Sequence, residues 1–186
     1  MSLASDPRHA LVIIDVQQGF DDPVWGRRDN PACEDNIRRL VAAWGESGRP
    51  RVVIRHDSTS PHSPLRPGQP GNELRPGIVG DVLITKSVNS AFYGEPDLGA
   101  WLDDRGITRL TICGVTTNHC CETTARMAGN LGYDVTFVID ATHTFDRVAL
   151  DGSVIPAEEI ARVTAANLHG EFATVATTAD VLRTDV

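Results

Sequence analysis

The sequence lacks the features that mark membrane, secreted and nucleic-acid-binding proteins. No apolar run approaches the roughly 18 to 20 residues that a membrane span requires, and the stretch from Met1 to Asp6 lacks the basic and apolar regions of a signal peptide. Basic residues are also scarce, since 17 Lys and Arg against 25 Asp and Glu give a formal net charge of −8. Because phosphate binding needs a basic face, we expect a cytoplasmic protein with neither a nucleic-acid nor a membrane partner.

Cysteine is sparse, and its spacing fits neither a zinc site nor a disulfide framework. The four cysteines are Cys33, Cys113, Cys120 and Cys121, of which two are adjacent and none forms a CxxC pair. We therefore expect reduced thiols. Cys113 is predicted to lie in the core, and Cys33 either on the surface or at the start of a helix.

The pattern of apolar residues predicts one α/β domain over residues 1–186. Short β-branched runs alternate with helical patterns, which favours a mainly parallel sheet with helices on both faces, in three α/β/α layers. Six strands are predicted: Ala10–Ile14, Arg51–Ile54, Val82–Thr85, Leu110–Cys113, Val135–Ile139 and the weaker Ala173–Ala176. Helices are predicted over Asn36–Ser47, around Leu98–Leu102, and over Asn118–Leu131 and Ala157–Leu168.

One long segment, Ser58–Gly80, is predicted to be irregular. It contains five prolines and four glycines, too many for a helix or an inner strand. Loops of this length in compact domains are usually functional. The segment either covers a pocket, contacts a neighbouring subunit, or is a surface excursion without a role.

Reactive residues follow the predicted strands. Asp15 follows the first strand, His56 and Asp57 the second, Lys86 the third, and the segment Gly114–Cys120 the fourth. In open α/β sheets the ligand crevice lies at these carboxyl ends. Each residue alone has an ordinary explanation as a turn former, a solvated charge or a buried thiol. Together they supply a thiol, a base and a cation at one edge of one sheet.

Three segments resemble the motifs of the isochorismatase-like cysteine hydrolases, a superfamily that includes nicotinamidases and N-carbamoylsarcosine amidase. They are Leu11–Phe20 (LVIIDVQQGF), Lys86–Phe92 (KSVNSAF) and Gly114–Ala125 (GVTTNHCCETTA). The motifs occur in the order and spacing of that superfamily, and the similarity extends from about residue 8 to residue 180. The resemblance implies a Rossmann-like fold, a small-molecule substrate and a homodimer or homotetramer.

The resemblance also implies the catalytic residues. It places Asp15, Lys86 and Cys120 in a catalytic triad, a non-proline cis peptide at Val115–Thr116, and an oxyanion hole formed by the backbone N–H groups of Thr116 and Cys120. Because a helix advances about 100° per residue, Cys121 is expected to point away from the carboxylate that Cys120 faces. We expect the pKa of the Cys120 thiol to be lowered by a helix N-terminus and by Lys86, with Asp15 accepting its proton.

Substrate contacts are predicted for Phe20, Phe92, His119 and Gln17. Trp25 is a further candidate for an apolar wall, and His143 a further candidate for the crevice. His119 either touches the substrate or forms a hydrogen bond near the start of a helix.

No metal and no cofactor are predicted. Nicotinamidases of this superfamily bind a divalent metal through an Asp and a His two residues later, but the residue two after Asp57 is Thr59. His62 is the alternative ligand. We favour the interpretation that His56 and Asp57 hold the loop through hydrogen bonds.

The leading hypothesis is a metal-independent cysteine hydrolase. It would cleave a C–N bond of a small amide, carbamoyl or lactam-like substrate through a thioester. The alternatives are a metal-dependent nicotinamidase, a vinyl-ether hydrolase of the isochorismatase type, and a noncatalytic scaffold. Cys120 counts against vinyl-ether cleavage, which needs no thiol, and fold alone never excludes a scaffold.

Overall fold

A six-stranded parallel sheet forms the centre of the protein. The computed structural model describes residues 6–184. The sheet strands are His9–Ile14 (β1), Arg51–His56 (β2), Val82–Lys86 (β3), Arg109–Val115 (β4), Asp134–His143 (β5) and Thr174–Ala176 (β8), and a separate hairpin pairs Arg147–Val148 (β6) with Val154–Ile155 (β7). The sheet order is β3-β2-β1-β4-β5-β8, which confirms the predicted α/β class.

Five α-helices accompany the sheet within the described residues. They are Cys33–Ser47 (α1), Leu98–Asp103 (α2), Glu122–Asn130 (α3), Ala157–Leu168 (α4) and Thr178–Thr184 (α5). Within residues 6–184, none of the helices has the length and apolar content needed to cross a membrane. The first helix begins at Cys33, three residues earlier than predicted. Cys33 is fully buried, so its predicted surface placement is wrong and its placement at a helix start is confirmed.

Helices cover both faces of the sheet, and the central strand β1 separates two apolar cores. Ala10, Val12 and Ile14 of β1 face a core that includes Leu98, Leu102, Ala125 and Ala128 from α2 and α3. Leu11 and Ile13 face the other core, which includes Ile37, Leu40 and Trp44 from α1. Every residue of β1 is buried, as expected for a strand covered on both sides.

The sheet reverses its order at β1 and β4, and this is where a ligand crevice is expected. The two strands approach closely at their carboxyl ends because position 114 is a glycine. Gly114 has φ +131°, and a Cβ atom built there would lie 2.0 Å from the carbonyl oxygen of Ile14. The close approach brings the residue after β1 beside the segment after β4.

The long loop is irregular, as predicted, apart from one short helical turn at Pro70–Asn72. The buried Asn72 side chain fastens it by donating to the carbonyls of His56 and Leu65, at 3.1 and 2.9 Å, and to Asp57 Oδ1 at 2.9 Å. The Gln17 amide donates to the carbonyls of His56 and Asn72, and its oxygen accepts from the His56 N–H. The loop is therefore tied to the ends of β1 and β2.

Candidate active site

Asp15 lies at the switch between β1 and β4 with its carboxylate enclosed by protein. The residue follows β1 directly, has φ +50° and is fully buried. Its Oδ2 atom is 2.6 Å from Lys86 Nζ, whereas its Oδ1 atom has no hydrogen-bond partner among residues 6–184. A buried carboxylate oxygen without a partner is costly, and such an oxygen can accept a proton.

Lys86 ends β3 and reaches across β2 to Asp15. Its ammonium group contacts three acceptors: Asp15 Oδ2 at 2.6 Å, His56 Nδ1 at 3.2 Å and Cys120 Sγ at 3.4 Å. An ammonium has three donors, so these contacts use all of them. Burial works to lower the pKa of Lys86, but Asp15 and Cys120 raise it and the net direction is upward, so Lys86 stays charged.

Cys120 lies beside this pair in the turn that precedes α3. Residues Thr117–Cys121 form a single π-helical turn, where an α-helix was predicted to begin. Cys120 Sγ lies 3.7 Å from Asn89 Oδ1, and only 8% of the residue is exposed. Asp15, His56 and Cys120 each place one polar side-chain atom within 4.8 Å of the others.

The pKa of the Cys120 thiol is raised, which corrects the expectation that it is lowered. Burial is the largest cause and the Asp15 carboxylate the second, and the Lys86 ammonium opposes them only in part. The resting side chain is therefore a neutral thiol at pH 7.

His56 is a neutral member of the same cluster. Its pKa is lowered, first by burial and then by the Lys86 ammonium. Because Nδ1 accepts a hydrogen bond from Lys86, the ring carries its proton on Nε2. His56 thus adds an N–H donor to the cleft.

The turn after β4 contains the cis peptide bond predicted at Val115–Thr116. The N–H groups of His119 and Cys121 donate to the Thr116 carbonyl at 3.2 and 3.3 Å. Within residues 6–184, the N–H group of Thr116 forms no turn or cap hydrogen bond. Cys121 is fully buried in the core on the α3 side, as expected for the neighbour of a cleft residue.

The cluster opens into a cleft of about 110 Å³. This volume is small beside the roughly 300 to 1,000 Å³ of drug-sized pockets. The lining residues are Asp15, Phe20, Trp25, His56, Leu65, Asn89, Thr116, His119, Cys120 and Arg147. Phe20 and Trp25 pack at 5.2 Å between ring centroids, and Trp25 Nε1 donates to the Gly19 carbonyl at 2.8 Å.

Three lining residues were not assigned to a cleft by sequence reasoning. Asn89 lies inside the second motif, so its neighbourhood was indicated although its role was not. Leu65 comes from the long loop, and Arg147 from a hairpin whose two-residue strands give no periodic signal.

The structure does not bring Gln17, Phe92 or His143 to the cleft. The Gln17 amide is committed to the backbone of His56 and Asn72. Phe92 packs in the core on Tyr133, at 5.9 Å between ring centroids. His143 is fully buried beside the rings of Phe20 and Phe145.

The residues around His56 do not fit a divalent metal of the nicotinamidase kind. Asp57 accepts hydrogen bonds from Arg55 and Asn72, and His62 is exposed in the loop. The other metal-like cluster, Asp15 with His56 and Cys120, already surrounds the Lys86 ammonium. A second cation there would meet strong like-charge repulsion.

Comparison with known sequences identifies relatives over most of the chain. The isochorismatase domain family matches residues 9–180. The isochorismatase family protein YrdC of Bacillus subtilis is 40% identical over 93% of this chain and 94% of its own length. A streptothricin hydrolase of Streptomyces noursei is 33% identical over 74% of this chain and 50% of its own length. Nicotinamidase 3 of Arabidopsis thaliana is 31% identical over 88% and 82%.

Solved structures show the same fold. A protein of the isochorismatase family from Chromobacterium violaceum superposes with a TM-score of 0.89 and 39% identity, over 98% of this chain and 96% of that one. A cysteine hydrolase from Pseudomonas syringae pv. phaseolicola superposes with a TM-score of 0.85 and 25% identity, over 97% and 94%.

Proposed function

This chain belongs to the isochorismatase family of hydrolases, and from that premise we propose that it hydrolyses a C–N bond of a small amide, carbamoyl or lactam-like substrate, with Cys120 as the nucleophile. One observation carries the proposal. The Cys120 sulfur shares the Lys86 ammonium with Asp15, whose second carboxylate oxygen is buried without a partner. A thiol, a base and a fixed cation are thus within reach of one another.

In the acylation step, the Cys120 sulfur attacks the substrate carbonyl carbon while its proton moves to Asp15. The raised pKa of the thiol requires this coupling, because little thiolate exists beforehand. The Lys86 ammonium, 3.4 Å from the sulfur, stabilises negative charge as it develops there. The C–N bond then breaks, the departing nitrogen takes the proton from Asp15, and a thioester remains on Cys120.

In the deacylation step, Asp15 takes a proton from a water molecule that attacks the thioester carbonyl. The carbon–sulfur bond breaks, the acid product leaves, and the proton on Asp15 returns to the sulfur. One carboxylate therefore serves as base, acid and base again. The N–H groups of Thr116 and Cys120 are the proposed donors to the oxyanion in both steps.

One relative supports amide cleavage by its name, and the site disfavours the alternatives. Nicotinamidase 3 is named for an amide substrate, whereas the name of the streptothricin hydrolase says only that it hydrolyses streptothricin. The metal-dependent nicotinamidase reaction is the second candidate. The hydrogen bonds of Asp57 with Arg55 and Asn72, and the exposed position of His62, argue against it. Vinyl-ether cleavage would leave the thiol without a use.

The test is a substrate screen of the purified protein, read by ammonia release for nicotinamide, carbamoyl amino acids, maleamate and ureidoacrylate. Cyclic amides are read by the appearance of a free amino group, because their hydrolysis opens the ring and releases no ammonia. We expect at least one substrate to be turned over by the wild type and not measurably by Cys120→Ala. This variant should keep the fold, because it removes only a sulfur atom from a side chain that lines the cleft. Cys121→Ala is the matched control and should keep turnover. Equal turnover by wild type and Cys120→Ala would contradict the assignment.

A further inference from the structure

Among the described residues that line the cleft, Arg147 alone carries a fixed positive charge. Lys86 lies behind the cleft and does not line it. Arg147 begins β6, and its backbone pairs with Ile155 in the hairpin. Nothing in the proposed acylation or deacylation steps uses it. A cation at a small cleft, in a chain of net charge −8, is expected to attract and bind a negatively charged group.

Arg147 has no such partner in the part of the chain that the structure describes. Among residues 6–184, no carboxylate lies within ion-pair distance of its guanidinium, whereas most arginines of this chain pair with an Asp or Glu. The Nε atom of Arg147 is buried and has no hydrogen-bond partner among those residues. The guanidinium therefore has donors that the protein does not use, and a ligand in the cleft that carries acceptor atoms can bind them.

The surroundings hold Arg147 in place at the cleft. The preceding residue, Asp146, binds Arg27 through both carboxylate oxygens, at 2.6 and 2.9 Å, and accepts from the Ala157 N–H that begins α4. The Arg147 guanidinium contacts His119 Nδ1 at 3.2 Å, and His119 directly precedes the nucleophile in sequence. The backbone before Arg147 and its guanidinium group are thus both held in place.

His119 is a neutral neighbour rather than a competing cation. Its pKa is lowered, first by its partial burial and then by the Arg147 guanidinium. At pH 7 its Nδ1 atom therefore accepts a hydrogen bond from Arg147. One guanidinium N–H is used in this contact, and the remaining Nη–H groups form no hydrogen bond with residues 6–184 and are available to a ligand.

From these observations we propose that the substrate carries a carboxylate that Arg147 binds at the entrance of the cleft while Cys120 attacks its amide carbon. The inference rests on the proposed function and narrows it to small amides of dicarboxylic or amino acids. The planar guanidinium matches a planar carboxylate. Phe20, Trp25 and Leu65 supply apolar contact for the short carbon chain between the two groups.

The experiment compares succinamate with succinamide, which share the scissile amide and differ in whether the far end is a carboxylate or a neutral carboxamide. Wild type is expected to prefer succinamate in kcat/KM by at least tenfold, after correction for the two amides of succinamide. Arg147→Gln should reduce this preference at least tenfold, and Arg147→Lys should restore part of it. The exposed Arg162→Gln removes the same charge elsewhere and should leave the preference unchanged. Because the readout is a ratio, loss of folded protein does not imitate the effect.

A second measurement separates this inference from the proposed function. Calorimetry on Cys120→Ala should show tighter binding of succinamate than of succinamide, and the added Arg147→Gln change should abolish the difference. If neither compound is hydrolysed by wild type but binding depends on Arg147, the succinamide-type chemistry fails and the anion site stands. If binding and the kcat/KM ratio are both indifferent to Arg147, the anion site is overturned while C–N hydrolysis of other substrates stands.

Discussion

The cleft is flanked by a polar side around Lys86 and by an aromatic side around His143, a residue that does not line the cleft but packs against Phe20, which does. The two sides bury a basic group in opposite charge states. Lys86 is 3% exposed and donates to three acceptors, which keep it charged. His143 is fully buried, and neither ring nitrogen has a hydrogen-bond partner among residues 6–184. Burial, followed by the charge of Arg28, lowers the pKa of His143 to about 3.

The pKa of Lys86 is raised and that of His143 is lowered, so partners, rather than depth, decide the direction in which the pKa of a buried base shifts. Glu34 is the carboxylate near His143, but its Oε1 atom is 3.8 Å from Nε2 and is bound to Arg28 at 2.8 Å. On the aromatic side, the rings of Phe20 and Phe145 therefore pack around a neutral His143. The polar side holds the charged groups that the proposed reaction uses. Changes to each side should separate these two roles.

The largest effect is expected from Asp15→Asn on the polar side. Hydrolysis of a substrate identified by the screen should fall by about 10² to 10⁴, because the general base is lost. The thiol should nevertheless react faster with iodoacetamide at a given pH, because the carboxylate is one cause of the raised pKa of Cys120. The measurement is the pH profile of alkylation, with Cys120→Ala as the background for the three other cysteines. Parallel loss of hydrolysis and alkylation would mean that Asp15 acts only through structure.

Lys86→Met should have the next largest effect. It leaves the Asp15 carboxylate buried without its cation, which costs about 3 to 5 kcal/mol of unfolding free energy, and it should lower kcat by about 10² to 10³. Urea unfolding at pH 7 gives the stability. In the double variant Asp15→Asn/Lys86→Met no buried charge remains, so part of the stability should return while hydrolysis stays lost. A double variant no more stable than Lys86→Met would show that the ion pair is not the source of the cost.

The smallest effect is expected on the aromatic side, from His143→Leu. The unfolded chain binds a proton on this histidine below pH about 6.5, whereas the native chain does not do so until about pH 3. Wild-type unfolding free energy should therefore fall as the pH is lowered through that window, with a contribution from this residue of up to about 1.4 kcal/mol per pH unit. The variant should lack this contribution between pH 4 and 6 in urea unfolding. The exposed His62→Leu is the control, and an equal slope change in both would contradict the assignment.

The parallel sheet and the cluster of Asp15, Lys86 and Cys120 were accessible from the sequence for a clear reason. Buried parallel strands form continuous apolar runs, and a parallel sheet gathers the residues that follow its strands at one edge. The cis peptide at Val115–Thr116 followed from the third motif and is confirmed. The catalytic roles themselves stay predictions.

The features that the sequence did not predict depend on very short strands, on tertiary contacts, or on the balance of several opposing effects on one pKa. The strands β6 and β7 have two residues each, so the hairpin that carries Arg147 has no periodicity to detect. Gln17 lies in the first motif but turns to the backbone of the loop, a choice that only tertiary contacts reveal. The direction in which the pKa of Cys120 shifts depends on whether burial and Asp15, which raise it, outweigh Lys86, which lowers it. The presence of the three residues in the sequence does not reveal that balance.

Gly114 has a consequence for how variation in this protein should be interpreted. Any side chain at position 114 would collide with the Ile14 carbonyl, 2.0 Å from the first added atom, so substitution there forces β1 and β4 apart. Asp15 and the Cys120 turn would move with those strands. In a saturation-mutagenesis library selected for activity, position 114 should thus be depleted of variants as strongly as position 120, although glycine takes no part in the reaction. Intolerance to mutation would there report geometry, and only chemical labelling of the thiol would tell the two positions apart.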